Sequence, residues 1–200
     1  VEAKAGVIGG ATDADHVGAI VTNVRKVFRG ALWIKLTGLQ TDVSALVVAA
    51  KHAGADAVCV SGRLMGFLPD VETLEPVLGT NGAYGGRWAL PLTCRHLAMA
   101  RRAVGKDFPM LGTNGARSGL DVARMLLAGA SAVELSSIVY LTGFKGLTHV
   151  IEELAAWLSD AKHTPCSVVG LAADKIQSYA ERTEKLNEWK KFVPEETLYG

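Results

Sequence analysis

The stretch LGTNGARSGLDVARMLLAGASAVELSS, residues 111–137, decides the fold. It follows the apolar FPM of 108–110. Read from left to right it is a strand end, a glycine turn, a helix with Ser118 as N-cap candidate, a glycine stop and a second buried strand. The closing frame AGAxAV of 128–133 also stands at 53–58, inside HAGADAVCVS. The same unit of helix end, glycine and strand entered through small residues is therefore used twice.

Working outward, short apolar runs of strand length lie at 31–37 (ALWIKLT), 56–61 (DAVCVS), 108–113 and 131–137. None alternates cleanly between apolar and polar, as expected of strands buried on both faces in a parallel sheet. Helical spacing separates them. Val17, Ile20, Val21 and Val24 form one stripe, with Asp13 or Asp15 to cap it. Val43, Leu46, Val47 and Ala50 form another, after Thr41 or Asp42, and a third runs from Leu147 through Val150, Ile151, Leu154 and Trp157 to Leu158. The order α-β-α-β-α-β-α-β-α predicts an α/β chain of four consecutive β/α units. An eight-stranded β/α barrel takes about 250 residues, so the reading is half of a TIM-type barrel over residues 1–162. A charged, helix-prone extension follows over 163–200.

Composition bounds the function. The 200 residues are 49% hydrophobic and 20% charged, with Lys+Arg 21 against Asp+Glu 20. That balance leaves no basic stripe for nucleic acid. No apolar run approaches the roughly 18–20 residues of a membrane span. Cys59, Cys94 and Cys166 are scattered, without a C-x-x-C pair, which predicts reduced thiols in a cytoplasmic setting and no metal site. Val1 opens the chain with no Met and no signal peptide, so a piece of something longer is expected.

The hexapeptide LGTNGA occurs at 78–83 and again at 111–116. The second copy sits between strand and helix, where backbone N–H groups can hold a phosphate and Ser136 and Ser137 share the rim. The bland reading is a tight turn built on Gly112 and Gly115. The first copy lies in a long connection from Gly62 to about Leu90, of the kind that serves as a lid or binding loop.

IKLTG, AGADAVCVSGRLMG, YGG before a helix, and the 111–137 stretch together resemble the C-terminal half of the dihydroorotate dehydrogenase family, closest to the flavin-binding barrel of dihydropyrimidine dehydrogenases. The likeness runs from about Ala5 to Leu158. It implies FMN at the carboxyl ends of the strands and hydride transfer between flavin N5 and a C=C bond. It further implies Lys35 beside the flavin ring, with Gly85 and Gly86 in the loop after the sixth barrel strand. Thr113, Asn114 and Gly115 fall in the phosphate turn, and Ser136 and Ser137 become phosphate contacts. A lysine at the ring stabilises its reduced, anionic form.

Departures bear on the substrate. Gly9 stands where dihydropyrimidine dehydrogenases carry their cysteine proton donor. Gly62 and Arg63 replace an Asn-Thr pair that binds the pyrimidine. Trp88 follows Arg87 where the family has small residues, and Asn114 stands in place of a glycine. Lys35 has a second reading, as a barrel lysine paired with a carboxylate. Arg63 is either a solvated loop residue or a clamp for an anionic group. Trp88 reads as an anchor for its loop, Cys59 as a core thiol, and the five histidines as exposed on helices.

The expectation is an FMN-dependent oxidoreductase acting on an activated C=C of a small polar, anionic molecule other than a standard pyrimidine. Lys35 and Ser61 are the catalytic candidates, and Gly62 and Arg63 the substrate-binding ones. The partner is an electron-transfer chain or the remainder of the barrel, in an oligomer. The alternatives are a flavin-free scaffold or ligand-binding subunit, and a phosphate-binding barrel enzyme without flavin.

Overall fold

The computed structural model of the chain describes residues 13–38, 43–62 and 64–181. Helix α1 (Ala14–Val27) starts at Asp13, whose carboxylate accepts the His16 N–H at 2.7 Å. It buries Val17 and Val21 against the sheet layer. Strand β1 (Trp33–Lys35), helix α2 (Val43–His52) and strand β2 (Ala57–Val60) follow. Between β2 and helix α3 (Leu90–Val104) the chain makes a small antiparallel hairpin, β3 (Met65–Gly66) with β4 (Gly82–Ala83), and a single 3-10 turn at Arg87–Ala89. Strand β5 (Met110–Gly112), helix α4 (Gly119–Leu127), strand β6 (Ala132–Val133) and helix α5 (Ser137–Asp160) complete the series. Gly143, at φ 67°, interrupts α5 after its first turns.

The main sheet has the order β1-β2-β5-β6 and every pairing is parallel. Its strands lie inside the four predicted runs and are shorter than those runs. The strand order never reverses. Right-handed crossovers then place every helix on one face, and α1 packs on α2, α2 on α3, α3 on α4, and α4 on α5. Ile34, Val58, Val60 and Met110 point into that helix layer and join Leu46, Val47, Leu97 and Met125 in the main core. The α/β class and parallel sheet expected from sequence are present.

The repeated AGAxAV frame is the same turn twice. Gly54 and Gly129 both have positive φ, 100° and 117°. The N–H of Ala55 bonds to the Ala50 carbonyl at 2.9 Å, and that of Ala130 to the Met125 carbonyl at 3.0 Å. The next residue then enters the sheet in each case, Asp56 N–H on the Leu32 carbonyl and Ser131 N–H on the Met110 carbonyl. Left-handed backbone at the turn costs glycine nothing, which is why the frame keeps it.

The described part of the C-terminal extension, as far as Glu181, is not one long helix. It forms α6 (Pro165–Val168), with a Thr164–Ser167 capping box, and short 3-10 turns. Val168 is fully buried with Val122 and Leu126. Gly170 and Ala172 donate to the carbonyls of Leu126 and Leu127. Arg101 of α3 reaches Asp174 at 2.9 Å. The hydrogen bonds from Arg101 and Lys106 hold the Asp174 carboxyl down at about 2.

Helices α4 and α5 meet at a glycine. A Cβ added to Gly119 would lie 2.6 Å from the Val150 carbonyl oxygen of α5. Gly119→Val should therefore lower unfolding stability by about 1–3 kcal/mol, the usual cost of overpacking a tight contact. Urea denaturation followed by circular dichroism measures it, and an unchanged midpoint would contradict the contact.

Candidate functional site

The face of the sheet opposite the helices carries the polar residues. Lys35 and Cys59 are direct partners in the β1–β2 register, and Cys59 is level with Leu111 of β5. Beyond the strand ends on the same rim stand Thr113 and Glu134, the latter held by its N–H on the Gly112 carbonyl at 2.8 Å. Alternation along a strand turns every second side chain to the same face, so Lys35, Cys59 and Glu134 converge. Lys35 Nζ donates to Glu134 Oε2 at 2.5 Å. Cys59 donates its thiol to the same oxygen, with Sγ 3.6 Å away.

The charges respond accordingly. Partial burial pushes the Glu134 carboxyl up. The hydrogen bond and positive charge of Lys35, with hydrogen bonds from Thr113 and Cys59, outweigh it and hold the group below the usual carboxylate range. The Cys59 thiol is pushed up to about 12 by burial first and by the Glu134 charge second, while Lys35 acts the other way. At neutral pH the cluster is an ammonium, a carboxylate and a neutral thiol. The carboxylate reading of Lys35 is thus realised. Glu134, which supplies it, escaped the sequence reading. Its only signal there was a charged residue at the end of a buried strand run.

Ser61 does not join this cluster. At φ 64° it leaves the strand geometry of β2, and its hydroxyl shares a 2.6 Å hydrogen bond with His96 Nδ1 of α3. Both side chains are buried, so His96 corrects the expectation that the histidines are exposed. Gly62 is buried beside it, and its N–H bonds to the Leu36 carbonyl at 3.1 Å. A Cβ there would overlap that carbonyl, so this position brings β1 and β2 together and offers no side chain to a substrate. Gly9 and Arg63 lie outside the described residues.

The second LGTNGA copy turns through two left-handed residues, Asn114 at φ 72° and Gly115 at φ 115°. Thr93 of α3 clamps the turn, its hydroxyl 3.1 Å from the Thr113 carbonyl oxygen and 2.8 Å from that of Asn114. Gly115 faces the start of α3, where an added Cβ would meet Leu90 N at 2.6 Å, and Gly85 packs on the Asn114 side chain. The glycines at 85 and 115 therefore serve protein packing at this rim. Gly86, at φ 146°, precedes Trp88, which stacks on Tyr84 with ring centroids 5.2 Å apart. Trp88 anchors the loop as expected. In the first copy, Gly79 and not its Asn takes the left-handed turn, and Gly82–Ala83 form β4.

The N-terminus of α4 is occupied by the protein itself. Ser118 accepts from Asp121 N–H at 3.1 Å, fully buried Asp121 accepts from Arg117 N–H at 3.1 Å, and Glu153 of α5 accepts from Gly119 N–H at 2.6 Å. The helix terminus expected to hold phosphate thus carries two carboxylates instead. Ser136 and Ser137, exposed at the start of α5 and separated from Glu134 by Leu135, offer hydroxyls at this rim. Among the described residues no helix is long and apolar enough to cross a membrane.

Comparison with known proteins completes the picture. The sequence profile of the dihydroorotate dehydrogenase family matches residues 3–158. The chain belongs to the dihydroorotate dehydrogenase family. It is 30% identical over 154 residues to dihydroorotate dehydrogenase A (fumarate) of Lactobacillus helveticus, covering 75% of this chain and 49% of that protein. It is 31% identical over 162 residues to the catalytic subunit of dihydroorotate dehydrogenase B (NAD(+)) of Pyrococcus furiosus, covering 80% and 53%. With the corresponding subunit of Carboxydothermus hydrogenoformans the identity is 31% over 159 residues, covering 78% and 50%. The chain spans about half the length of the curated relatives it matches. The family is one of TIM barrels whose members are FMN-dependent oxidoreductases of CH–CH bonds.

Burial, and then the charge of Arg95, lowers the pKa of His96. The unfolded chain therefore binds a proton here more readily than the folded one. This contribution to stability is present above the ordinary histidine range and is lost as pH falls through the lowered value. His96→Asn should flatten the fall in stability between pH 7.5 and 5. Urea midpoints of the two proteins across that range test it, and equal slopes would contradict it.

Proposed function

We propose that this chain supplies the last four β/α units of a dihydroorotate dehydrogenase-type barrel, residues 1–162 with 163–200 as an extension on its outside. In this reading the barrel holds FMN on the inner face of the sheet. The observation that carries the reading is Lys35. It lies on the face without helices, at the carboxyl end of β1, and the family resemblance gives it the part of the flavin lysine.

The residues present suit the cofactor at both ends. Lys35 offers a cation to the ring, and Ser136 and Ser137 offer exposed hydroxyls to the phosphate, with the Thr113–Gly115 turn alongside. These serines open the short helical stretch before Gly143, and a short extra helix after the last strands is the common phosphate site of such barrels. FMN, when bound, exchanges a hydride with a carbon–carbon bond of the substrate. Gly115 contributes by letting the turn lie against α3, rather than by direct approach to the phosphate.

The substrate is a small polar, anionic molecule other than a standard pyrimidine. Gly62 brings no amide side chain to read a pyrimidine edge, and its own N–H is already spent on Leu36. Arg63, as a guanidinium, suits a carboxylate or phosphate. The remainder of the barrel, or another chain, would close the sheet and pass electrons, since two of the relatives described above are named as catalytic subunits. A second reading, a flavin-free subunit, draws support from one observation: the amides at the start of α4 and the charge of Lys35 are already matched by carboxylates.

The absorption spectrum of the purified protein separates the two, because a bound oxidised flavin gives near-ultraviolet and blue bands. In the flavin reading, replacing Ser136 and Ser137 together by Ala weakens FMN binding about 10- to 100-fold, the usual value of hydrogen bonds to a charged group. Fluorescence titration measures it. An unchanged dissociation constant would remove these serines from the site.

A further inference from the structure

Among the described residues, Glu134 is the charged residue of the inner face that the family resemblance did not assign. Its carboxylate lies 2.5 Å from the Lys35 ammonium and also accepts from the Cys59 thiol at 3.6 Å. Lys35 belongs to β1 and Glu134 follows β6, so the pair spans the whole sheet from its first strand to its last. Thr113, at the end of β5, donates to the same carboxylate. One side chain from each of the other three strands, Lys35, Cys59 and Thr113, is thereby gathered on a single acceptor.

We propose that Glu134 is a positioning residue that sets the charge Lys35 presents to the flavin. This rests on the FMN reading above. Hydride transfer to the ring adds a negative charge to it, and a full cation beside the ring favours that charged, reduced form. A carboxylate 2.5 Å from the cation turns it into half of an ion pair, whose field at the ring falls off faster than that of a lone charge. The pair also fixes where the ammonium stands, since a long lysine side chain otherwise samples many rotamers. The site therefore binds reduced FMN less tightly, relative to oxidised FMN, than an unpaired lysine would.

The substitution that isolates the charge is Glu134→Gln, which keeps the size of the side chain and its acceptor oxygen. Glu134→Asp keeps the charge. The first measurement is the midpoint potential of the FMN-loaded protein by dye equilibration. Glu134→Gln should raise the ratio of affinities for reduced over oxidised FMN about tenfold. For a two-electron couple that is an upward shift of about 30 mV. Glu134→Asp should stay near the wild-type value. Lys35→Met, which removes the cation and leaves the carboxylate, should shift the potential the other way, downward.

The second measurement needs no flavin. The Glu134 charge and its hydrogen bond both raise the pKa of the Cys59 thiol. Glu134→Gln should therefore speed alkylation of Cys59 at pH 9 by a small reagent, followed by peptide mass mapping to separate it from Cys94 and Cys166. Faster Cys59 labelling together with a raised potential supports the proposal. A potential that is unchanged or lowered in Glu134→Gln, in a protein that retains its flavin bands, overturns it. Unchanged Cys59 labelling overturns the charge arrangement on which it stands. A wild-type protein that binds no FMN overturns the functional reading, and this role of Glu134 with it. The absence of flavin bands marks that outcome from the start.

Discussion

A parallel sheet whose strand order never reverses can be covered by its own helices on one face alone. The rest of this molecule follows from that constraint. Crossovers between neighbouring parallel strands keep to one hand, and α1 to α5 pack side by side behind β1, β2, β5 and β6. The apolar side chains of the strands are drawn to that layer, where Val58 and Val60 are completely buried. The opposite face is left to the other half of the period-2 pattern. Its polar residues are Lys35, Cys59 and, past the strand ends, Thr113 and Glu134, with Trp33 and Leu111 beside them. A charged row is tolerable there only because the charges meet one another, and Lys35 and Glu134 do so directly.

The carboxyl rim is built as one packed unit. Helix α3 supplies Thr93 to the turn after β5, its first residue Leu90 touches Gly115, and Gly85 from the preceding loop closes on Asn114. Ser61 and His96 fasten the end of β2 to the same helix. The glycines at these positions are therefore needed for backbone contact within the protein. The far end of α3 is tied down separately, through Arg101 and Asp174 to the C-terminal segment.

The parts of this architecture legible in the sequence are those set by local chemistry. The AGAxAV turns are readable because a left-handed glycine after a helix is dictated by neighbouring residues alone, and both copies take one geometry. The strand runs and the stripes of α1 and α2 are readable because apolar spacing reports burial. Lys35 is readable through both a resemblance and the oddity of a cation within ALWIKLT. What escaped is non-local. Glu134 meets Lys35 across 99 positions and Ser61 meets His96 across 35, and no spacing rule reaches so far. The N-terminus of α4 misleads for the same reason. Its sequence reads as a phosphate site, yet Glu153 arrives from 34 residues away to take the Gly119 amide. The twin LGTNGA strings make the point within one chain, since only the copy clamped by Thr93 uses its Asn-Gly pair as a left-handed turn.

The central claim is that the face of the sheet without helices is where this chain holds FMN. Backbone amide chemical-shift mapping by NMR, during titration of the flavin-free protein with FMN, tests it most directly. The account predicts perturbations that cluster at Lys35, Cys59, Thr113, Glu134 and Ser136–Ser137. It also predicts that the outer surfaces of α2 and α3, around His52 and Met99, stay silent. Perturbations confined to those outer helix surfaces, or none at saturating FMN, would contradict it.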